Sequence, residues 1–580
     1  MKEKKVKKEN SVFNWGWYKV VIFAIELVVF LGIWKLIDYC GMPSYSWRSI
    51  STYWLTVLAL IYWTIGSYIF FCSEFDDYKP GKNVAHVILG ITVVFAIIAI
   101  VVGIKNGEMC DSSYQYNLVS NMVTKISSKT GGEEVDAANA QVFPVFDVKT
   151  IPMGGKPEAE AAAQTLLGSM PGLGSQMELD SDEYTSQNIN NELCYVVPLE
   201  PSSMFRWDKT VGNGGYFIFN RNTRKTEFVQ DSLFYVQDAP FRNKIKRHMY
   251  NYVHDALNLS YGIMDISPEV STDGTYYYVG TVYDYSKAGS LKIVKGVVVT
   301  NAITGENEFY SVEEAPEWID RIYPEELFLD YIKVYGKYAN GYWNASMFGK
   351  KKGVQVPTND YDVVYVDGTC YAYSGWTTSK AGASSDSSNG IIMMNLRTGE
   401  ILLYENNGIS ESKAQKVAQG KVQEKEYTAS YPILISVAEQ PTYFMLMRDK
   451  SDNLTGYAFV NYKDYTKVAV SETIQDAQTA YIKALATNNS SDNLENVELS
   501  TKKGVITNIA NEVVESNTVY YVQIDDDSTI FTFSSSVDKK VVFASVGDDI
   551  TISYIPADGA EVISAVEVDI TYAPNEIKTE

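Results

Sequence analysis

A single acidic residue lies inside an apolar segment near the N-terminus, where its chemistry would be that of an ionisable group in a membrane. Glu26 falls about nine residues into the apolar segment 17–37, roughly 13 Å deep at about 1.5 Å per residue. A carboxyl group at that depth is costly in a bilayer, so it indicates a functional group. Thr64 lies at a similar depth in the segment 50–71 and could hydrogen-bond it. The alternative is a protonated Glu26 that holds a helix bundle or a partner helix together.

Four basic residues lie close together in a region that is otherwise acidic. They are Arg242, Lys244, Lys246 and Arg247. A cluster of this kind could bind an anionic wall polymer or an acidic partner. The alternative is the solvated face of an amphipathic helix.

Two pairs of titratable residues are poor candidates for a site. His248 and His254 lie six residues apart on one predicted helix. Their side chains then point about 120° apart around the helix axis, so they are badly placed to bind one metal ion. Glu317 and Asp320 are paired carboxylates on a predicted helix, and a solvated face explains them.

The segment that begins at Asp449 imitates the first half of a calcium-binding loop. However, Leu454 stands where the bend of such a loop needs Gly, and Val460 stands where the bidentate Glu belongs. A hairpin turn is the better interpretation. The sequence also has no G-x-S-x-G, no H-E-x-x-H and no phosphate-binding glycine loop. We therefore predict no catalytic residues, no cofactor, no metal site and no enzymatic activity.

Three long apolar segments lie in the first 104 residues and none follows them. The segments 17–37, 50–71 and 84–104 each contain about 21 residues, enough to cover a hydrocarbon core of about 30 Å. They predict three N-terminal transmembrane helices in a multi-pass cell-membrane protein.

Basic residues predict the orientation of these helices. Five lysines occur in the first eight residues, Lys79 and Lys82 lie between the second and third segments, and only Arg48 lies between the first and second. By the positive-inside rule the N-terminus is cytoplasmic, and everything after residue 104 is extracytoplasmic.

The composition excludes some partners. The net charge is −22 and the isoelectric point is about 4.7, which argues against nucleic-acid binding and against adhesion to anionic lipid. Five cysteines are too few for a disulfide scaffold, although a bridge between Cys194 and Cys370 stays open.

A six-residue pattern, Gly followed by four strand-forming residues and Asn, occurs four times. It predicts four β-hairpin strands, each ending in a turn whose Asn tolerates positive φ. The four copies are 215–220, 296–301, 390–395 and 456–461.

Each copy is preceded by a predicted strand and followed by a predicted helix. The helices are expected at 241–257, 324–335, 410–422 and 472–485. The unit is thus an antiparallel sheet plus a helix, which buries the apolar face of the helix on the sheet. We predict four such βββα modules, two in 191–345 and two in 346–490, in series or as two back-to-back pairs.

The turns 301–306 and 395–400, which both end in Thr-Gly-Glu, carry a resemblance to a known family. A strand, this turn, a returning strand and a helix resemble PepSY-like modules. That resemblance implies cystatin-like α+β folds that act as exported binding or inhibitory units. The longer chain also resembles uncharacterised membrane-anchored proteins of bacteria and their phages, which implies no activity.

The C-terminal region reads as five or six short strands separated by acidic turns. It predicts a small OB-like β-barrel at 503–570, followed by a tail at 571–580. A linker with a short helix is expected at 105–190, after the anchor at 1–104.

We therefore predict a membrane-anchored α+β protein that acts as an extracytoplasmic scaffold or protein-binding module. The alternative is an accessory subunit of a membrane transport or secretion assembly. The expected partners are the membrane and another protein, with no nucleic acid.

Overall fold

The structure is a computed structural model of the chain that describes residues 21–573 with internal gaps. The gaps are 22–23, 47, 73–78, 106, 128–153, 181–183, 204–205, 208–211, 240–242, 287–290, 359–360, 367, 379–385, 439, 452, 487–498, 515–516, 526, 536 and 557–560. The chain divides into two compact units. The first comprises 1–121, 154–352 and 396–399, and the second comprises 122–153, 353–395 and 400–580.

The N-terminal part of the first unit is helical. Residues 24–41 are helical, and the helices Ile50–Cys72, Lys79–Lys105 and Glu108–Ser120 follow. Within Lys79–Lys105, the window His86–Ile104 has a mean hydropathy of 3.2 and is only 17% buried, so this helix is long and apolar enough to cross a membrane.

The prediction of three transmembrane helices was wrong. In the part of the chain that the structure describes, one helix meets the length and composition of a span. Within Ile50–Cys72, the described apolar stretch is Leu55–Tyr68, which is shorter than a span. The described residues form a β-rich fold with one candidate span, four sheets and a five-stranded barrel.

Two antiparallel sheets make up the rest of the first unit. In the first sheet, Glu192–Pro201 lies between Gly215–Asn220 on one side and two short strands on the other, and Thr226–Gln230 forms the far edge; the short strands are Met177–Leu179 and Thr185–Ile189. The second sheet has the order Asn307–Tyr310, Lys292–Asn301, Tyr276–Tyr285 and Gly262–Val270.

These two sheets share one core. The helix Ile245–Tyr252, continued by Val253–Leu257, buries Ile245 and Met249 against Tyr216 of the first sheet and Tyr278 of the second. The other helices of this unit are Lys156–Gly168, Glu325–Tyr338 and the short Gly341–Ala345.

The second unit contains the other two sheets. The third sheet includes Thr369–Thr378, Ser387–Asn395 and Ile401–Ile409, to which Val123–Ser127 adds in parallel; the edge strands on the other side are Gln355–Pro357 and Asp362–Val366. The fourth sheet consists of Thr428–Ala429, Ile433–Val437, Gln440–Arg448, Leu454–Asn461 and Val468–Ser471. The helices Glu411–Lys421 and Ile474–Ala486 bury Ala414 and Tyr481 in one core with both sheets.

The chain ends in a closed barrel, as its strand pattern predicts. Around the barrel the order is Ser500–Val514, Asn517–Ile524, Ile530–Ser534, Val562–Thr571 and Asp549–Tyr554. The pair Ile530–Ser534 and Val562–Thr571 is parallel, and the remaining neighbours are antiparallel.

The predicted Gly-to-Asn repeat is present in the strands, and the glycines share one physical reason. A Cβ on Gly215, Gly296, Gly390 or Gly456 would collide with a carbonyl oxygen of the returning strand; the carbonyls belong to Val229, Tyr310, Tyr404 and Ser471. At the last three glycines the ladder also changes register, so they lie at β-bulges. Only a residue without a side chain allows so close an approach.

The asparagines of the repeat each end a strand. Asn220, Asn301 and Asn461 accept hydrogen bonds through Oδ1 from backbone N–H groups two and three residues later. This Asx turn replaces backbone hydrogen bonds that are lost where the strand stops. Cys194 lies in Glu192–Pro201 and Cys370 in Thr369–Thr378, which belong to different sheets, and both are buried free thiols.

Candidate functional site

Glu26 and Thr64 do not form the predicted pair. Thr64 Oγ1 lies 2.7 Å from Thr92 Oγ1 and donates to the carbonyl of Leu60. Glu26 packs instead against Gly66, where a Cβ would collide with its carboxylate. Both carboxylate oxygens of Glu26 are buried without a hydrogen-bond partner among the described residues.

The described members of the predicted basic patch do not form one continuous basic surface. Arg242 lies outside the described residues. Lys244 pairs with Asp238 at 3.5 Å, and Lys246 is exposed. Arg247 is only 8% exposed and turns into the protein, so it cannot bind an external anion.

Arg247 belongs to a contact that we call the helix joint, formed by Asp38, Tyr45, Arg247 and Tyr250. The guanidinium donates to the backbone carbonyl of Asp38 at 3.3 Å and lies 5.2 Å from the ring centroid of Tyr250. The hydroxyls of Tyr45 and Tyr250 donate to Oδ1 of Asp38 at 2.5 Å and 3.2 Å. The joint ties the end of the helical residues 24–41 to the helix Ile245–Tyr252.

The two histidines each contact a backbone carbonyl. His254 Nε2 lies 3.0 Å from the carbonyl of Tyr261, and burial lowers the pKa of its imidazole. His248 Nε2 lies 2.6 Å from the carbonyl of Gly305. Among the described residues no group of three or more His, Cys, Asp or Glu could hold a metal ion.

The paired carboxylates Glu317 and Asp320 have different surroundings. They lie in a turn region and not on the predicted helix. Glu317 is exposed, as predicted, whereas Asp320 is partly buried and accepts a hydrogen bond from the backbone N–H of Asn188 at 2.6 Å. Burial raises the pKa of Asp320 to about 6. Beside it lies Glu269, 2% exposed, whose pKa is raised well above its usual range by burial first and by the charge of Asp320 second. No sequence pattern singles out Glu269, because it lies in an ordinary strand.

Asp449 forms a turn, as predicted. Its Oδ1 accepts from the backbone N–H groups of Ser451 and Asn453 at 2.8 Å and 2.9 Å. Those bonds close a hairpin between Gln440–Arg448 and Leu454–Asn461.

A cleft of about 740 Å³ lies between the helix Ile474–Ala486 and the barrel, within the second unit. Its volume is in the range of sites that hold small molecules or peptide segments, about 300–1,000 Å³. We call it the acidic cleft, because four carboxylates and one lysine are its charged lining residues: Glu472, Asp476, Glu567, Asp569 and Lys483.

The spacing of the charged residues along each strand or helix explains why they face the acidic cleft. Glu567 and Asp569 are two residues apart on Val562–Thr571, so both point outward while Val568 and Ile570 face the barrel core. Asp476 and Lys483 lie seven residues apart on the helix, which is about two turns.

Three of the four carboxylates contact a lysine at the surface. Lys483 lies 2.8 Å from Glu567, Lys425 lies 2.9 Å from Glu472, and Lys540 lies 2.9 Å from Asp569. These pairs are largely solvent-exposed, so each contributes little to stability, and a ligand cation can replace a lysine at low cost. The fourth, Asp476, accepts a hydrogen bond from Ser534 Oγ at 2.7 Å.

The acidic cleft could not be predicted from the sequence. The alternation Glu567-x-Asp569 in a predicted strand was the available signal, together with the polar face of the last predicted helix. Neither signal shows that the two faces meet.

Comparison with known proteins adds little. No family model matches the chain, and no curated protein matches it either, so the PepSY-like resemblance stays a prediction. Among solved structures, a chimera of apocarotenoid oxygenase and RPE65 is 9% identical with a TM-score of 0.13, and the match covers 49% of this chain and 48% of that one. A variant of the apocarotenoid oxygenase from Synechocystis is 10% identical with a TM-score of 0.15, and the match covers 51% of this chain and 65% of that one.

Both solved structures are of an oxygenase or of a chimera built on one, and the prediction that this chain is not an enzyme is withdrawn. At these TM-scores the likeness supports no shared fold, substrate or mechanism.

Proposed function

We propose that this chain is a membrane-attached binding protein whose acidic cleft holds a cationic segment of a partner protein. The observation that carries the proposal is the set of four carboxylates around an open cleft of about 740 Å³. A lysine- or arginine-rich segment complements this charge. The net charge of −22 favours the same kind of partner, because the field of the whole chain attracts cations.

The shape of the acidic cleft supports an extended segment. One wall is a barrel strand and the other is a helix, so the cleft runs between two linear elements. Thr479, Thr551 and Ser553 add hydroxyl groups to the lining, which can bind the backbone of a peptide while the carboxylates bind its side chains.

Attachment through the helix His86–Ile104 is part of the proposal. The lysine-rich N-terminus would stay in the cytoplasm, and a chain that crosses once at this helix would leave the acidic cleft outside it. Protease added to intact spheroplasts should then degrade the large C-terminal region. Full protection of that region would contradict the orientation.

Binding of an oligolysine peptide to the full chain in detergent tests the cleft. The variant D476N/E567Q/D569N should bind oligolysine about ten-fold more weakly, because each lost charge is worth up to about 1 kcal/mol. Raising the salt concentration should weaken binding to the unmodified chain and affect the variant less.

A matched control removes the same charge elsewhere. E308Q/E313Q/E424Q replaces three exposed acids outside the acidic cleft and should bind oligolysine like the unmodified chain. Equal loss in both triple variants would show attraction by net charge alone, and no loss in either would show that the cleft is not the site. Co-purification from solubilised membranes with the cleft variant and its control would then identify the partner.

The accessory-subunit function is the second candidate, and Glu26 favours it. Its buried carboxylate has no hydrogen-bond partner among the described residues, so a helix of another protein could supply one. If so, E26L should weaken a co-purifying membrane complex by about 1 kcal/mol while E26Q preserves it. Equal complex yield in both variants would contradict this function.

A further inference from the structure

A loop in the first unit carries the most exposed large apolar side chains of its surroundings. We call residues 341–352 the aromatic loop. Trp343 is 70% exposed, Met347 82% and Phe348 88%. Three such residues within six positions form a patch rather than scattered surface residues, and a patch of this kind marks a contact site.

The exposure is built into the loop. Lys351 donates its backbone N–H to the carbonyl of Asn344 at 2.9 Å, and Lys352 donates to Oδ1 of Asn344 at 3.0 Å. The side-chain amide of Asn344 donates back to the carbonyl of Lys352 at 2.9 Å. Asn344 therefore closes the loop from both sides.

Backbone geometry fixes the same shape. Lys351 has a φ of +52°, and a Cβ on Gly349 would collide with the carbonyls of Trp343 and Asn344. These contacts therefore hold the loop in one shape with its apolar side chains outward. Exposing those side chains to water is unfavourable unless another surface covers them.

The chain as a whole is acidic and disfavours anionic lipid, but charge and position at the aromatic loop are a local exception. Lys350, Lys351 and Lys352 are exposed and follow Phe348 almost directly. Aromatic residues beside a basic run are typical of segments that lie in the interface of an anionic membrane. The short helix Gly341–Ala345 also packs against Glu108–Ser120, which begins three residues after the end of Lys79–Lys105. The aromatic loop thus lies beside the helix that leaves the candidate span.

We propose that the aromatic loop docks on an anionic lipid surface. Trp343, Met347 and Phe348 enter the interface, and the three lysines contact lipid phosphates. This second attachment restrains the first unit relative to the bilayer, which one span alone does not do. The proposal is independent of the acidic cleft.

Photo-crosslinking tests the proposal on the full chain. Phe348 is replaced by benzoylphenylalanine, which its exposure permits without repacking. The protein is reconstituted in nanodiscs of phosphatidylcholine alone or mixed with phosphatidylglycerol, illuminated, and analysed for adducts by mass spectrometry. Lipid adducts should form in the anionic discs and be several-fold fewer in the neutral ones.

Two charge variants complete the experiment, with circular dichroism as the check that both fold. K350E/K351E/K352E should lower the lipid adducts, by up to about five-fold per lysine. The control K156E/K225E/K295E changes the net charge equally at exposed lysines outside the loop and should not. The proposal is overturned by an absence of lipid adducts, by adducts to a second copy of the chain, by equal yields in both lipids, or by equal losses in both variants.

Discussion

The hydroxyl of Ser534 donates a 2.7 Å hydrogen bond to Oδ1 of Asp476, and this bond joins the two walls of the acidic cleft. Ser534 ends a barrel strand and is 3% exposed, while Asp476 lies in the first turn of the helix Ile474–Ala486. A hydrogen bond to a charged group is stronger than a neutral one, so it holds the helix against the barrel.

Removing this hydrogen bond should weaken the packing of the helix Ile474–Ala486 on the barrel. We expect S534A to lower the stability of the strand Ile530–Ser534 by about 1.5–3 kcal/mol, because the half-buried carboxylate of Asp476 loses the hydrogen bond that the hydroxyl donates. In a double-mutant cycle with D476A, the two losses should fall short of additivity by about 1 kcal/mol. Native-state hydrogen exchange of the strand Ile530–Ser534 measures both. Additive losses would mean that the two side chains do not interact.

The turn glycine Gly305 should be more sensitive than another glycine with the same backbone conformation. Gly305 has a φ of +76° and lies under the ring of Tyr235, where a Cβ has no room. Gly274 has a φ of +85° and open space around it. G274A should cost about 1 kcal/mol from backbone strain alone, and G305A should cost about 1–3 kcal/mol more. Thermal melting compares the two, and equal losses would rule out the role of the Tyr235 ring.

Glu269 should make the protein less stable as the pH rises. Its folded pKa is raised by burial, so between the ordinary value of 4.5 and the folded value the unfolded chain binds fewer protons than the folded one. Stability from this group is therefore complete below about pH 4.5 and falls above it. E269Q should be more stable than the unmodified chain at pH 8, by more than about 1 kcal/mol, and similar to it at pH 4.

Denaturant unfolding at the two pH values gives this comparison for Glu269. E313Q, at an exposed acid, is the control and should match the unmodified chain at both. An advantage of E269Q that is the same at pH 4 and pH 8 would show that titration of Glu269 is not its cause.

Because of the helix joint, we expect substitution of Arg247 to destabilise the protein more than substitution of its neighbour Lys246. R247A should destabilise the first unit by about 2 kcal/mol, because it removes hydrogen bonds to the carbonyl of Asp38 and the packing on Tyr250. K246A, at an exposed position on the same helix, should have no measurable effect. Thermal melting in detergent tests both, and hydrogen exchange should rise around residues 38–45 only in R247A. Equal melting temperatures would contradict the joint.

Much of the strand layout could be predicted because its causes are local. Each repeat glycine lies where a carbonyl of the returning strand comes too close for a Cβ, and each turn Asn bonds the next backbone N–H groups. Both requirements act within about fifteen residues, so they leave a pattern in the chain. The count of membrane spans was not predicted correctly, because three apolar segments were counted along the chain, whereas among the described residues one continuous helix is long and apolar enough for a span.

The sequence by itself determined the four Gly-to-Asn hairpins, the helices between them and the C-terminal barrel, since periodicity and turn chemistry encode local structure. Only the tertiary structure decided which polar residues meet. Asp476 and Asp569 line one cleft although they are far apart in the chain, Arg247 turns inward, and Glu269 lies beside Asp320. Burial and charge proximity depend on how sheets, helices and barrel pack, and no short stretch of sequence contains that information.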